Sequence, residues 1–111
     1  MSSIIATYGN DYADSVRVGD TLRLMADTPN DGNTWTGTVA IKTSLSASAT
    51  DSLTLASYTG YPVRGSNWDL AYDYDTSSLT GNTKYLACFQ LTSGSKRIES
   101  VQSFTVLPQG V

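Results

Sequence analysis

Three carboxylates of one parity, Asp69, Asp73 and Asp75, are the residues in this chain whose type and spacing come nearest to a reactive constellation. On an extended strand, residues of one parity project to one side, so the three could offer oxygen ligands to Ca²⁺. Residues two apart on a strand are separated by about 7 Å, too far for neighbours to share one ion without a bend, and no EF-hand spacing occurs. A solvated outer face accounts for them better, and neither a metal nor another cofactor is expected. The chain has no histidine and a single cysteine, Cys88, so no Ser-His or Cys-His pair can form. Cys88 stands mid-strand among apolar neighbours and reads as a buried, inert thiol; a nucleophile would want exposed, electropositive surroundings. No phosphate-binding or dinucleotide glycine loop is present. A hydrolase would have to rest on Asp69, Asp73 or Glu99 alone, so a non-enzymatic protein is expected.

Aromatic side chains offer a different kind of site. Trp35, Tyr58 and Tyr61 lie at or near turns, where rings can grip a carbohydrate or a partner protein. The competing reading is that Trp35 lids the core and the tyrosines cover sheet edges.

The elements that must position these residues follow from composition and period. Serine and threonine supply 15 residues each against one glutamate, three lysines and two methionines, so strong helix formers are scarce. At 111 residues with 40% apolar and 15% charged side chains, the chain suits one ordered domain over residues 1–111. The net charge of −3, with only Lys96 and Arg97 adjacent as cations, argues against nucleic acid or an anionic membrane as partner. No apolar run approaches the roughly 20 residues of a membrane span, and residues 1–12 lack the basic and apolar regions of a secretory signal. Synthesis and use in the cytoplasm, or release by lysis, is the expectation. A lone cysteine excludes a disulfide-stapled scaffold.

Period-two alternation predicts strands over residues 2–8, 20–27, 37–43, 52–58, 67–73, 85–91 and 97–107. Residues 44–50 are of low complexity and read as a loop or a ragged edge. In the 67–73 strand, Trp68, Leu70 and Tyr72 share one face. Leu22 and Leu24 oppose Thr21, Arg23 and Met25, while Tyr85, Ala87, Phe89 and Leu91 oppose Leu86, Cys88 and Gln90. Val101 breaks the parity of Ile98 and Phe104, which predicts a bulge near Ser100. Seven short strands with Gly, Asn and Asp turns imply an all-β fold, an antiparallel β-sandwich or small barrel.

Leu79, Gly81, Thr83 and Tyr85, each two apart, resemble the lead into the sixth strand of fibronectin type III domains and the tyrosine corner of immunoglobulin-like sandwiches. The resemblance implies that Tyr85 buries its ring between the sheets and bonds its hydroxyl back to the corner. Gly81 stands where that family usually has proline. A wider resemblance rests on residues 18–24, the Asn30-Asp31-Gly32 turn, residues 36–42, residues 84–100 and residues 104–106. These are similar to the immunoglobulin-like domains at the N-termini of tailed-phage upper-baseplate and tail-fibre proteins. What this implies is an immunoglobulin-like β-sandwich of about seven strands serving as a virion structural protein: a baseplate, tail-fibre adaptor or capsid-decoration component. Its partners would be other virion proteins or itself, with a homotrimer in view. A carbohydrate-binding or adhesion module of the same fold is the alternative.

Overall fold

Chains that alternate apolar and polar side chains bury one face per strand, and two such sheets close a core only by packing face to face. The structure is a computed structural model that describes residues 2–7, 15–29, 31–57 and 69–109. They form nine strand segments: β1 Ser2–Thr7, β2 Ser15–Arg17, β3 Thr21–Asp27, β4 Thr36–Lys42, β5 Asp51–Thr54, β6 Ala56–Ser57, β7 Leu70–Asp75, β8 Thr83–Ser93 and β9 Lys96–Leu107. A single 3-10 turn, Thr76–Ser78, follows β7, and no α-helix occurs among the described residues.

One sheet has the order β1-β3-β7-β6 and the other β2-β9-β8-β4-β5. The two sheets pack face to face as a β-sandwich. The pairings are antiparallel except at β2, which runs parallel to β9 with Ser15 opposite Thr105 and Arg17 opposite Leu107. The core lies between the sheets. Leu22 and Leu24 of β3, with Leu70 and Tyr74 of β7, meet Val39, Ile41, Tyr85, Phe89, Leu91, Phe104 and Val106. Gly37 faces the same space; a Cβ there would fall 2.7 Å from Leu91 Cδ2 and 2.9 Å from Leu55 Cδ1, so β4 packs this closely only without a side chain.

The β8–β9 hairpin is the longest ladder, and its turn sets its register. Ser93 pairs with Lys96 across Gly94-Ser95, and of these two loop residues only Gly94 takes a positive φ, 60°, the signature of a type II′ turn. From that turn the ladder runs without offset to Thr83 opposite Val106. The bulge expected near Ser100 is therefore absent. Val101 simply faces outward, 47% exposed, because the uninterrupted register leaves it no inward position.

Other expectations shift in instructive ways. The strand expected over residues 52–58 divides at Leu55, which is buried and donates its N–H to Gly37 O at 2.9 Å, as the chain leaves one sheet at β5 and joins the other at β6. Residues 44–50 form a loop, held by Thr50 N–H on Ile41 O at 2.7 Å. The strand expected over residues 67–73 occupies Leu70–Asp75, and Trp68 lies outside the described residues. Within it Tyr72 is exposed, whereas Tyr74, of the same parity, enters the core. Met25, on the parity expected to face solvent, is fully buried and stands outside the inter-sheet cluster. Cys88 is half-buried on the outer face of β8, not sealed in the core.

This register makes adjacent strands respond oppositely to truncation. Phe89→Ala is expected to cost about 3–5 kcal/mol, whereas Val101→Ser should stay within about 0.5 kcal/mol of wild type. Urea unfolding midpoints of the two variants check this.

Candidate functional site

The outer face of the five-stranded sheet collects the side chains that the core rejects. Register places Ser52, Ala40, Cys88 and Val101 in one row across β5, β4, β8 and β9. Thr54, Thr38, Gln90 and Glu99 form the next row, while Lys42, Leu86 and Ser103 flank the first on its other side. Because Ser52, Ala40 and Cys88 are short, the middle row lies low between longer neighbours. The result is a groove of about 390 Å³ whose lining includes Ala40, Lys42, Leu45, Cys88, Glu99 and Val101. Leu45, carried on the 44–50 loop, is 66% exposed and with Val101 gives this face apolar surface in water. Lys42 and Glu99 supply opposite charges at its margin. Such a surface can recognise a partner; it holds no nucleophile paired with a base.

Sequence reasoning passed over this groove. Val101 reads there as evidence of a bulge, and Cys88, though placed on the face opposite Tyr85 and Phe89, reads as a buried thiol. The signal was there in the unbroken alternation of Lys84, Leu86, Cys88, Gln90 and Thr92, which fixes the outward row once β8 is placed.

The carboxylates singled out in the sequence are not brought together; each has its own partner. Asp69 accepts from the Thr28 N–H at 2.9 Å and from the Thr28 hydroxyl. Asp73 receives a two-pronged bond from its cross-strand partner Arg23, Nε to Oδ1 at 2.8 Å and an Nη to Oδ2 at 3.2 Å. Asp75 caps the 3-10 turn, accepting from the Ser77 hydroxyl at 2.6 Å and its N–H at 2.9 Å, and these bonds hold its carboxyl below the usual range. Among the described residues no group of three His, Cys, Asp or Glu side chains is placed to hold a metal.

Of the aromatic candidates, Trp35 is 8% exposed and belongs to the core cluster, with its indole N–H on Asp31 Oδ1 at 3.2 Å. Asp31 also accepts from the Asn33 N–H at 3.0 Å, and these bonds, led by the one from Asn33, lower its pKa. Tyr58 and Tyr61 lie outside the described residues. At the corner before β8, Leu79 and Tyr85 are buried, and the Tyr85 hydroxyl accepts the Thr80 N–H at 2.9 Å. The Tyr85 ring stacks on Phe104 with centroids 5.8 Å apart, and the Thr83 hydroxyl donates to Gly81 O at 3.2 Å.

A polar link crosses the sandwich beneath the groove's edge strand. Tyr74 of β7 donates its hydroxyl to Asp51 Oδ2 of β5 at 2.7 Å. Burial first, and then the bond to Asp51, push the Tyr74 phenol well above its ordinary pKa. The link ties β5, the strand that bounds the grooved face, to the opposite sheet.

No protein-family model and no curated protein matches the chain. Among solved structures it is similar to the crystal structure of an engineered protein, with a TM-score of 0.50 and 16% identity over 97% of this chain and 20% of that one. The chain thus spans about a fifth of the length of the protein it matches, and at this identity the likeness speaks for the fold alone. Fold and comparison together define a two-sheet, all-β sandwich. No helix among the described residues is long and apolar enough to cross a membrane.

Removing the hydroxyl in Tyr74→Phe is expected to cost about 1–2 kcal/mol at neutral pH, measured by chemical denaturation. A folded-state pKa raised above the unfolded value of about 10 gives stability that is complete below pH 10 and is lost as pH rises toward the folded value. Wild-type stability should therefore fall above about pH 10, and Tyr74→Phe should fall less steeply.

Proposed function

We propose that this chain is a non-enzymatic structural protein that works through protein–protein contacts made on the outer face of its five-stranded sheet. The observation that carries the reading is the groove beside Leu45, on the 44–50 loop, and Val101, on β9, two large apolar side chains held 66% and 47% exposed. Exposed apolar surface gathered on one face marks interaction sites more often than scattered single residues do. The engagement of Asp69, Asp73 and Asp75 with separate partners and the lack of histidine favour recognition over bond chemistry.

The finer part of the proposal is a place in a tailed-phage virion, as a baseplate, fibre-adaptor or capsid-decoration component. Its support is the resemblance of residues 18–24, 36–42, 84–100 and 104–106 to immunoglobulin-like domains of upper-baseplate and tail-fibre proteins. The partner is then another virion subunit or a second copy of the chain.

Mass spectrometry of gradient-purified particles from the lysate that contains this protein tests the virion placement. Peptides at a constant copy number per particle are expected; their presence in lysate but absence from particles would refute it. The paired substitution Leu45→Arg with Val101→Arg should leave the melting temperature within a few degrees of wild type and reduce incorporation into particles at least about tenfold.

A further inference from the structure

We infer that the grooved face pairs with its own copy, two molecules docking face to face about a two-fold axis that passes over Cys88. The inference rests on the reading above of this face as an assembly surface and adds the identity and geometry of the partner.

Self-complementary charge carries it. Cys88 of β8 stands between Ala40 of β4 and Val101 of β9. Lys42 lies one outward position beyond Ala40 in one direction, and Glu99 one outward position beyond Val101 in the other, so Cys88 is the midpoint between two opposite charges. Strand spacing and rise put Lys42 and Glu99 roughly 17 Å apart within one molecule, too far to pair with each other. Consider a second copy rotated about an axis in the interface plane, over Cys88 and at right angles to the line joining the two charges. Lys42 of each copy then lies on Glu99 of the other, and both pairs form in one step. The strands of the two copies cross steeply, toward the orthogonal class of sheet packing.

The face is free to make this contact. Thr38, Glu99 and Val101 are exposed and Lys42, Leu86 and Cys88 half-buried; no outward side chain of β4, β8 or β9 is sealed over. Among the described residues Lys42 has no ion-pair partner, and Glu99 has only Arg97 at 3.6 Å, both side chains 61% exposed, a pair that contributes little in water. Lys84 and Arg97 stand one outward position beyond Leu86 and Glu99, and Arg17 lies at the far end beside Leu107, bonded to Pro108 O at 3.0 Å. Lys42 and Glu99 are thus the charges nearest the axis.

Apolar surface and area fit the same rotation. Val101, one strand from Cys88, comes to rest beside the partner's Leu86, and Leu45, which lines the groove on the loop after Lys42, falls within the covered area. The molecule is a slab of 46 × 33 × 16 Å. Covering about two-thirds of one broad face supplies the ~800 Å² that each partner contributes to a stable interface. A surface that complements itself is used up when two copies meet, so assembly closes at the dimer and not at a trimer.

Sedimentation velocity from micromolar to near-millimolar concentration tests this. The wild type should pass from monomer to dimer and no further. Lys42→Glu sets like charges against each other at both contacts, as does Glu99→Lys, and each variant should be monomeric throughout. Lys42→Glu with Glu99→Lys in one chain exchanges the signs and should restore the dimer, and an equimolar mixture of the two single variants should form it as well. Cys88 lies at the centre of the contact, so where the wild type is dimeric its thiol should react with iodoacetamide at least about tenfold more slowly than in Lys42→Glu. The proposal is overturned by a wild type that is monomeric throughout, by assembly that runs past two, or by a single variant that still dimerises. It is equally overturned by folded charge-exchanged chains or mixtures that stay monomeric, or by a Cys88 thiol as reactive in the dimer as in the monomer. Should a variant fail to fold, the dependence of Cys88 labelling on wild-type concentration decides. A monomeric wild type defeats the self-pairing alone, because the particle composition and the Leu45→Arg with Val101→Arg variant test the virion reading and this face independently.

Discussion

The alternation along β8, locked to β9 by an eleven-pair ladder, is the constraint on which the molecule depends. Tyr85, Ala87, Phe89 and Leu91 reach the core only in this register. A slip of one residue would bring Lys84, Leu86, Cys88 and Gln90 inside and expose the aromatic pair that anchors the corner. The cost of that exchange is many times the few kcal/mol by which small domains are stable. The same register that fills the core therefore fixes the outer row without further instruction. Core and grooved face are two readings of one alternation.

That dependence explains what the sequence made legible. Leu22 and Leu24, Val39 and Ile41, and the Tyr85 to Leu91 series each carry their period over enough residues to declare a strand and its buried side. The corner motif around Leu79, Thr83 and Tyr85 was readable because its spacing is local. β2 and β6 were not, since segments of three and two residues hold no period and exist only through a neighbour, β9 or β7. The split at Leu55 was hidden for a related reason: a chain that moves from one sheet to the other keeps an apolar residue at the crossing and so imitates a continuous strand. Trp35 shows the limit for function. Its place near a turn left two readings open, a contact ring or a lid on the core, and the fold supports the lid, with the indole in the core and its N–H on Asp31.

The candidate site illustrates a more general asymmetry. Inward positions announce themselves through bulky apolar residues, whereas a recognition surface on a sheet is built from whatever remains, and here the remainder includes alanine, serine and cysteine next to one lysine and one glutamate. Shortness, not chemistry, makes the groove. A residue such as Val101 then looks like an error of pattern when it is a feature of the surface. The acidic residues invert this. Their common parity invited a shared role, yet Thr28, Arg23 and Ser77 take them one by one, so each serves local order.

The parallel pairing of β2 with β9 has a mechanical consequence. Ser15 stands beside Thr105 and Arg17 beside Leu107, so an early segment of the described chain is bonded to its final strand with both running the same way. Tension drawn backward from Ser15 and forward from Leu107 slides the two strands past one another. The pair's hydrogen bonds, joined by Val18 N–H on Leu107 O at 3.0 Å, then share the load and cannot peel apart one at a time. Lengthwise tension on the described chain thus loads these bonds together and not in turn.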